Sequence, residues 1–387
     1  MIEPEHQRAD RCPGLLTPHK AEDGMLVRIR IPGGRISAGR LQRLAMLAAE
    51  YGQPELQITS RGNVQLRGID ADRLADLSDA VTDLGLLPSP DHERVRNIVG
   101  SALAGLGGRP AVSSVITELD QAICADPELV GLPSRFLFAV DDGSGDVAGL
   151  RFDLAARWLS EDRWLIVAGT AVPRAKITDR AGVVPEMIMV ARRFLALRKR
   201  SATPPWHLHE TNPDELDPTG LLDGWSALEE LIATAGPLVR SGPTPLGAID
   251  GAASVSVPLA RLTSRQIDVL ATAAGAGEVV LTPWRGVVVP GAADRLDELA
   301  AVGLIVDDHS AWNGLTACVG APGCGKSMIN TREFAAGLAA VLDDQPGLPI
   351  HISGCGRRCG TPSGPHHDLV APDDLDRAIA SLGGVAS

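Results

Sequence analysis

Residues 315–327 read LTACVGAPGCGKS and residues 350–360 read IHISGCGRRCG. Together they carry Cys318-x5-Cys324 and Cys355-x3-Cys359, four of the six cysteines of a 387-residue chain, all within its last seventy residues. The opening stretch, MIEPEHQRADRCPG, has no apolar h-region, so no secretory signal is expected. Thiols clustered in such a chain point to a metal site rather than to disulfides. Four thiolates in two local pairs are how iron–sulfur clusters are held. Gly320, Gly323, Gly325, Gly354, Gly356 and Gly360 flank the cysteines. They let the backbone come close and aim N–H groups at sulfur. If the turn from Cys355 to Cys359 is helical, the i, i+4 spacing puts both sulfurs on one side. Structural zinc is the competing reading, but its pairs are commonly closer, Cys-x2-4-Cys. Cys12 and Cys124 lie outside the pattern and read as ordinary thiols, one in an N-terminal arm and one in a buried helix.

A second motif overlaps the first. Residues 320–327, GAPGCGKS, satisfy the phosphate-loop formula G-x4-G-K-S, with a short apolar stretch before and a helix expected over about 328–343. Against nucleotide binding, Cys324 sits inside the loop, only sixty residues follow, and the next strand ends in Gly-Cys rather than a metal-binding aspartate. Lys326 then reads as positive charge near the thiols or near an electron donor.

Hydrophobic residues make up 44% and charged residues 22%, the balance of a globular protein, while aromatics are only 3%. The cores must therefore be built from Ala, Val, Leu and Ile. A net charge of −12 argues against non-specific nucleic-acid binding. No run of eighteen apolar residues exists, so no membrane span is expected, and a cytoplasmic location is. Arginines are nevertheless frequent early: Arg28, Arg30, Arg35, Arg61, Arg67, Arg94 and Arg96. Guanidinium forks match carboxylates, so an arginine-lined cleft for a carboxylated ligand can exist inside an acidic chain.

The organisation is that of a repeat. After a polar arm over residues 1–20, expected to be mobile, MLVRIRIPGG reads as a strand, with Met25, Val27, Ile29 and Ile31 in alternation. Residues 37–51 read as an amphipathic helix with Ser37 as cap, 55–69 as a hairpin turning at Gly62-Asn63, and 71–85 as a second helix. After a Pro/Gly-rich break at 236–247, residues 254–291 repeat strand, helix and two short strands about a turn. TSRGNVQLRG (59–68) lies on TPWRGVVVPG (282–291) without a gap. Gly131-Leu132-Pro133 opens SRFLFAV, and Gly347-Leu348-Pro349 opens IHISG. The chain thus reads as a duplicated module, 20–235 then 243–387. The first copy continues as Asp141-Asp142-Gly143 where the second carries its cysteines.

Cys-x5-Cys followed by Cys-x3-Cys, together with VRIRIPGG, ITSRGNVQLRGI and VRNIVGSALAG in that order, resembles the sulfite and nitrite reductase superfamily over about residues 20–370. The resemblance implies an α+β fold, a duplicated module of ferredoxin-like half-domains (21–88 and 243–305) beside tetrapyrrole-type domains. Of these, 89–235 would lack a cluster and 306–387 would hold a 4Fe–4S cluster on Cys318, Cys324, Cys355 and Cys359. GLPSRFLFAVDDGSG and CVGAPGC look more like the precorrin-3B synthase branch than like the reductases. Reductases of the superfamily place two lysines in a Leu-Pro-x-Lys-x-Lys strand over their anion; here the positions are Arg135 and Leu137. Loss of one cation suits a large macrocycle better than a small dianion.

By that resemblance Arg61, Arg96 and Arg135 line a tetrapyrrole cleft, which Arg28 and Arg30 can join. The implied reaction is dioxygen-dependent hydroxylation of precorrin-3A with lactone closure, fed by an external donor, a ferredoxin or an NAD(P)H-dependent reductase. No catalytic residue is assigned, and a further non-haem iron is left open, with His366 and His367 as candidate ligands but more simply an exposed loop pair. His207 and His209 have no assigned role. The rival expectations are a siroheme-dependent sulfite or nitrite reductase, and a non-catalytic tetrapyrrole carrier or electron-transfer protein.

Overall fold

Alternating apolar residues form the first strands as expected. The computed structural model describes residues 10, 12–211, 220–235, 242–342, 344–362 and 364–382. Strand Gly24–Ile29 pairs antiparallel with Val64–Ile69, which pairs in turn with Glu55–Ile58. Helix Ala38–Tyr51 starts where Ser37 accepts from the Arg40 amide, and it buries Leu41, Leu44 and Leu47. Each such leucine contributes roughly 1.5–3 kcal/mol by leaving water. The second copy builds Ala252–Ser256, Glu278–Leu281 and Gly286–Val289 around helix Ser264–Ala274, begun by a reciprocal Thr263–Gln266 capping box.

The two half-domains are not separate bodies. Strand Arg261–Thr263 of the second copy closes the first sheet by pairing with residues 55–57, and Arg35–Ser37 of the first closes the second sheet against residues 278–280. Each visiting strand brings an arginine to a glutamate of the host sheet, Arg261 to Glu55 and Arg35 to Glu278. One hydrophobic core runs through both halves, from Val27 and Leu56 to Leu262 and Val287.

The gapless match of 59–68 with 282–291 holds bond for bond. Thr59 N donates to Asn63 O at 2.8 Å and Thr282 N to Gly286 O at 2.9 Å. Asn63 N and Gly286 N donate to the threonine hydroxyls at 3.1 and 3.0 Å. The left-handed position is Gly62 in one turn (φ 66) and Arg285 in the other (φ 64). Glycine adopts this conformation freely; an arginine there is strained.

Each half-domain leads into a sheet containing parallel strands. In the first copy Ile98–Gly100, Phe138–Asp141 and Leu154–Ser160 run parallel, and the sheet continues antiparallel through Arg163–Ala168, Arg174–Thr178 and Ser226–Ala227. Helices Ser113–Ala125 and Val183–Arg200 cover it over a core that includes Phe136, Phe138 and Phe194. In the second copy Leu315–Ala317, Ile350–Ser353 and His367–Val370 are all parallel, with helix Thr331–Val341 as the crossover.

Several expectations change. The 1–20 arm, where described, is docked rather than free. Glu93 accepts from the Leu15 and Leu16 amides at 2.6 and 2.9 Å, Asp10 from the Ser134 amide at 2.9 Å, and His19–Ala21 pairs with the first long strand. Residues 1–9 and 11 lie outside the described residues. Ser134 and Arg135 belong to a turn, not a strand, closed by Phe136 N to Pro133 O at 2.9 Å. In the second copy the strand begins directly after Pro349, so the Gly-Leu-Pro match is displaced relative to the sheets. His367 is a strand residue, not part of an exposed loop.

Candidate functional site

All four cysteines of the two motifs meet. Cys318 follows strand Leu315–Ala317 directly, and Cys355 lies just past Ile350–Ser353, both at the carboxyl ends of parallel strands, where α/β sheets hold ligands. Cys318, Cys324, Cys355 and Cys359 line one cavity of about 440 Å³ with Arg67 and Lys326. The Cys355–Cys359 segment is not helical. Arg358 N donates to Cys355 O at 3.2 Å and Arg358 has φ 49, so a tight turn brings the pair together.

The glycines beside the thiols let backbone and side chains pack closely. Gly354 N donates to Cys318 Sγ at 3.3 Å, the amide-to-sulfur bond anticipated from the glycines. A Cβ on Gly354 would stand 1.7 Å from Ser327 Oγ, and one on Gly320 2.2 Å from Thr331 Oγ1. Among the described residues no three His, Cys, Asp or Glu groups are gathered as ligands to a single ion. The phosphate-loop reading fails locally: helix Thr331–Val341 begins four residues after Ser327, and its N-terminus is capped by Asn330.

The first copy preserves the same post without sulfur. Ser101 N donates to Val140 O at 3.1 Å, as Cys318 N does to Ile352 O at 2.9 Å. Asp142 N donates to Ser101 Oγ at 3.0 Å, the counterpart of the Gly354–Cys318 bond. Around Ser101 lie buried Asp141, Asp142 and Asp146. Burial pushes the Asp141 carboxyl up to about 6 despite Arg157 beside it.

The arginines divide. Arg61 donates to the carbonyls of Ser134 (3.1 Å) and Arg135 (2.8 Å), and both arginines line a cavity of about 370 Å³ with Arg151, Trp206, His207 and His209. Arg96 is elsewhere. Each of its guanidinium nitrogens is engaged, Nε and Nη2 on Asp120 at 2.7 Å each and Nη1 on the Leu86 carbonyl, so it is a core ion pair rather than a lining residue of that cavity. Arg30 is 2% exposed; Nη2 donates to the Arg94 carbonyl at 3.4 Å, and Nε and Nη1 have no partner among the described residues. Burial, with Arg28 and Arg61 close by, pushes it down to about 9. Leu137 packs into the apolar cluster of Val99 and Ala139, away from Arg135. Sequence reasoning left His207 without a role and passed over Arg151 and Trp206; the Pro204-Pro205-Trp206-His207 run was the available signal.

Residues 18–84 match the family described as the nitrite/sulfite reductase ferredoxin-like half domain. The chain is 25% identical over 387 residues to a precorrin-3B synthase of Sinorhizobium sp, covering 94% of this chain and 81% of that one. This chain resembles precorrin-3B synthase and the nitrite and sulfite reductases. To a ferredoxin–nitrite reductase of Synechococcus elongatus it is 25% identical over 385 residues (87% and 74% covered). To sulfite reductase [ferredoxin] 2 of Mycolicibacterium paratuberculosis it is 27% identical over 387 residues (86% and 67%). The solved Mycobacterium tuberculosis NirA protein shares the fold, with a TM-score of 0.58, 20% identity and coverage of 86% of this chain and 68% of that one. No helix among the described residues is long and apolar enough to cross a membrane.

Proposed function

We propose that the chain holds a 4Fe–4S cluster on Cys318, Cys324, Cys355 and Cys359 and acts on a carboxylated tetrapyrrole, as a precorrin-3B synthase-type oxygenase of precorrin-3A. The observation that carries this reading is the convergence of four thiols, from loops thirty residues apart, on one cavity. The whole-length similarity to a precorrin-3B synthase supports the substrate. When bound, the cluster would supply one-electron transfer. The chain's own residues do the rest. The Gly354 amide donates to the Cys318 sulfur, and Lys326 puts positive charge at the thiol cavity, where Arg67 is already ion-paired with Asp23. Arg61 and Arg135 offer guanidinium charge to substrate carboxylates. The electron donor is proposed to be a ferredoxin, in keeping with the names of the reductase relatives.

The second reading, a siroheme-dependent reductase, is favoured by the near-equal identity to the nitrite and sulfite reductases. Leu137 tells against it: a leucine buried in the core supplies neither charge nor proton to a small anion. Iron, acid-labile sulfide and siroheme are quantified on the purified holoprotein alongside its absorption spectrum. Cluster iron and sulfide with a broad brown shoulder are expected. Stoichiometric siroheme with an intense Soret band overturns the synthase reading, and absence of labile sulfide overturns the cluster.

A further inference from the structure

His207 faces the Arg61–Arg135 cavity and rests on a buried acid. Asp153 is fully buried and accepts three N–H bonds: from the amides of Leu137 and Leu208, both at 2.8 Å, and from His207 Nδ1 at 3.1 Å. A carboxylate only accepts, so Nδ1 carries the proton and Nε2 presents its lone pair. Among the described residues Nε2 has no hydrogen-bond partner, and the ring lines the cavity. A buried carboxylate fixing one ring nitrogen while the other opens onto a binding cavity is the arrangement general acid–base chemistry requires.

We propose that His207, positioned by Asp153, is the proton-transfer residue of this cavity, acting on a polycarboxylate substrate. The inference rests on the reading that the cavity takes such a substrate. A proton leaving a substrate hydroxyl or carboxylic acid passes to Nε2, making an imidazolium beside the Asp153 carboxylate, and the same proton returns to a substrate oxygen. The groups facing His207 fit the role. His209 stacks on it with ring centroids 5.0 Å apart and bonds Arg151 at 2.9 Å. Arg151 can only donate, so His209 Nε2 accepts from it, and burial first, then neighbouring positive charge including Arg151, holds His209 below the usual histidine range. Arg61, Arg135 and Arg151 draw an anion in, while Glu210, bonded to the Trp206 amide, is the acid on the wall.

Ring-nitrogen NMR on the histidine-labelled full chain reads the tautomer directly. His207 is expected as the Nδ1–H form, and Asp153→Asn removes that preference. A wild-type Nε2–H tautomer overturns the proposal. In turnover of precorrin-3A, His207→Gln is expected to lower kcat at least about 100-fold, to leave KM and cluster content near wild type, and to abolish one limb of the pH profile. A kcat within threefold of wild type overturns it. Should the wild-type chain not turn over precorrin-3A, the reaction reading has failed, and uroporphyrin, an octacarboxylate macrocycle, decides the cavity separately. Its binding should shift the His207 Nε2 resonance, and binding without such a shift, or no binding, overturns the assignment.

Discussion

Ser101 holds in the first half of the chain the post that Cys318 holds in the second. Each amide donates to the middle strand, and each side-chain atom accepts from the amide just beyond it, at 3.0 and 3.3 Å. Serine is therefore compatible with the backbone at this place. Cys318→Ser should fold with a near-wild-type unfolding midpoint, while iron and labile sulfide fall to background. Circular dichroism and metal analysis on the same preparation check both halves of the statement.

The under-bonded guanidinium of Arg30 should be a liability. It is buried, Nη2 donates to the Arg94 carbonyl at 3.4 Å, Nε and Nη1 lack partners among the described residues, and Arg28 and Arg61 are like charges nearby. Arg30→Met should raise stability by about 1–3 kcal/mol, because the desolvation cost disappears and the volume is kept. Urea unfolding of wild type and variant checks this.

Arg96 behaves differently because its partner is protein. Asp120→Ala leaves a 5%-exposed guanidinium side chain unpaired and should cost about 3–5 kcal/mol. Wild type and variant are compared by urea unfolding. A loss confined to substrate affinity, with the unfolding midpoint unchanged, would return Arg96 to the binding cleft.

Asp141 gives the stability a pH signature. Its carboxyl is raised from 3.8 to about 6, so between these values the native state binds more protons than the unfolded chain. That contribution to stability falls as pH rises through the interval, and above about 6 the penalty is complete, on the order of 3 kcal/mol. Asp141→Asn should flatten the difference between unfolding free energies measured at pH 5 and pH 7.

The paired turns allow a symmetrical test. A Cβ on Gly62 would lie 2.6 Å from the Leu281 carbonyl oxygen at φ +66, so Gly62→Ala should lose about 1–3 kcal/mol. Arg285→Gly relieves a left-handed arginine and should be neutral or stabilising by up to about 1 kcal/mol. Thermal unfolding of both variants suffices.

Much of the fold was legible in the sequence because it is local. The alternation of 25–31, the Ser37 cap and the ten-residue repeat are read within a few residues of themselves, and each forms as expected. The thiol motifs were legible because the four cysteines stand in two short local pairs, although the second pair is joined through a turn rather than a helix. What stayed hidden depends on partners distant in sequence. Nothing near Arg96 announces Asp120, nothing near His207 announces Asp153, and nothing near residues 12–17 announces Glu93. The strand exchange was equally silent, because Arg261–Thr263 has the same local pattern whichever sheet receives it.

That exchange has a consequence for the half without the paired cysteines. Each five-membered sheet is finished by three residues on loan from the other copy. Discarding that repeat would strip the remaining one of an edge and open its interior to water. The copy that lacks the cysteine pairs is therefore indispensable as scaffold to the copy that carries them.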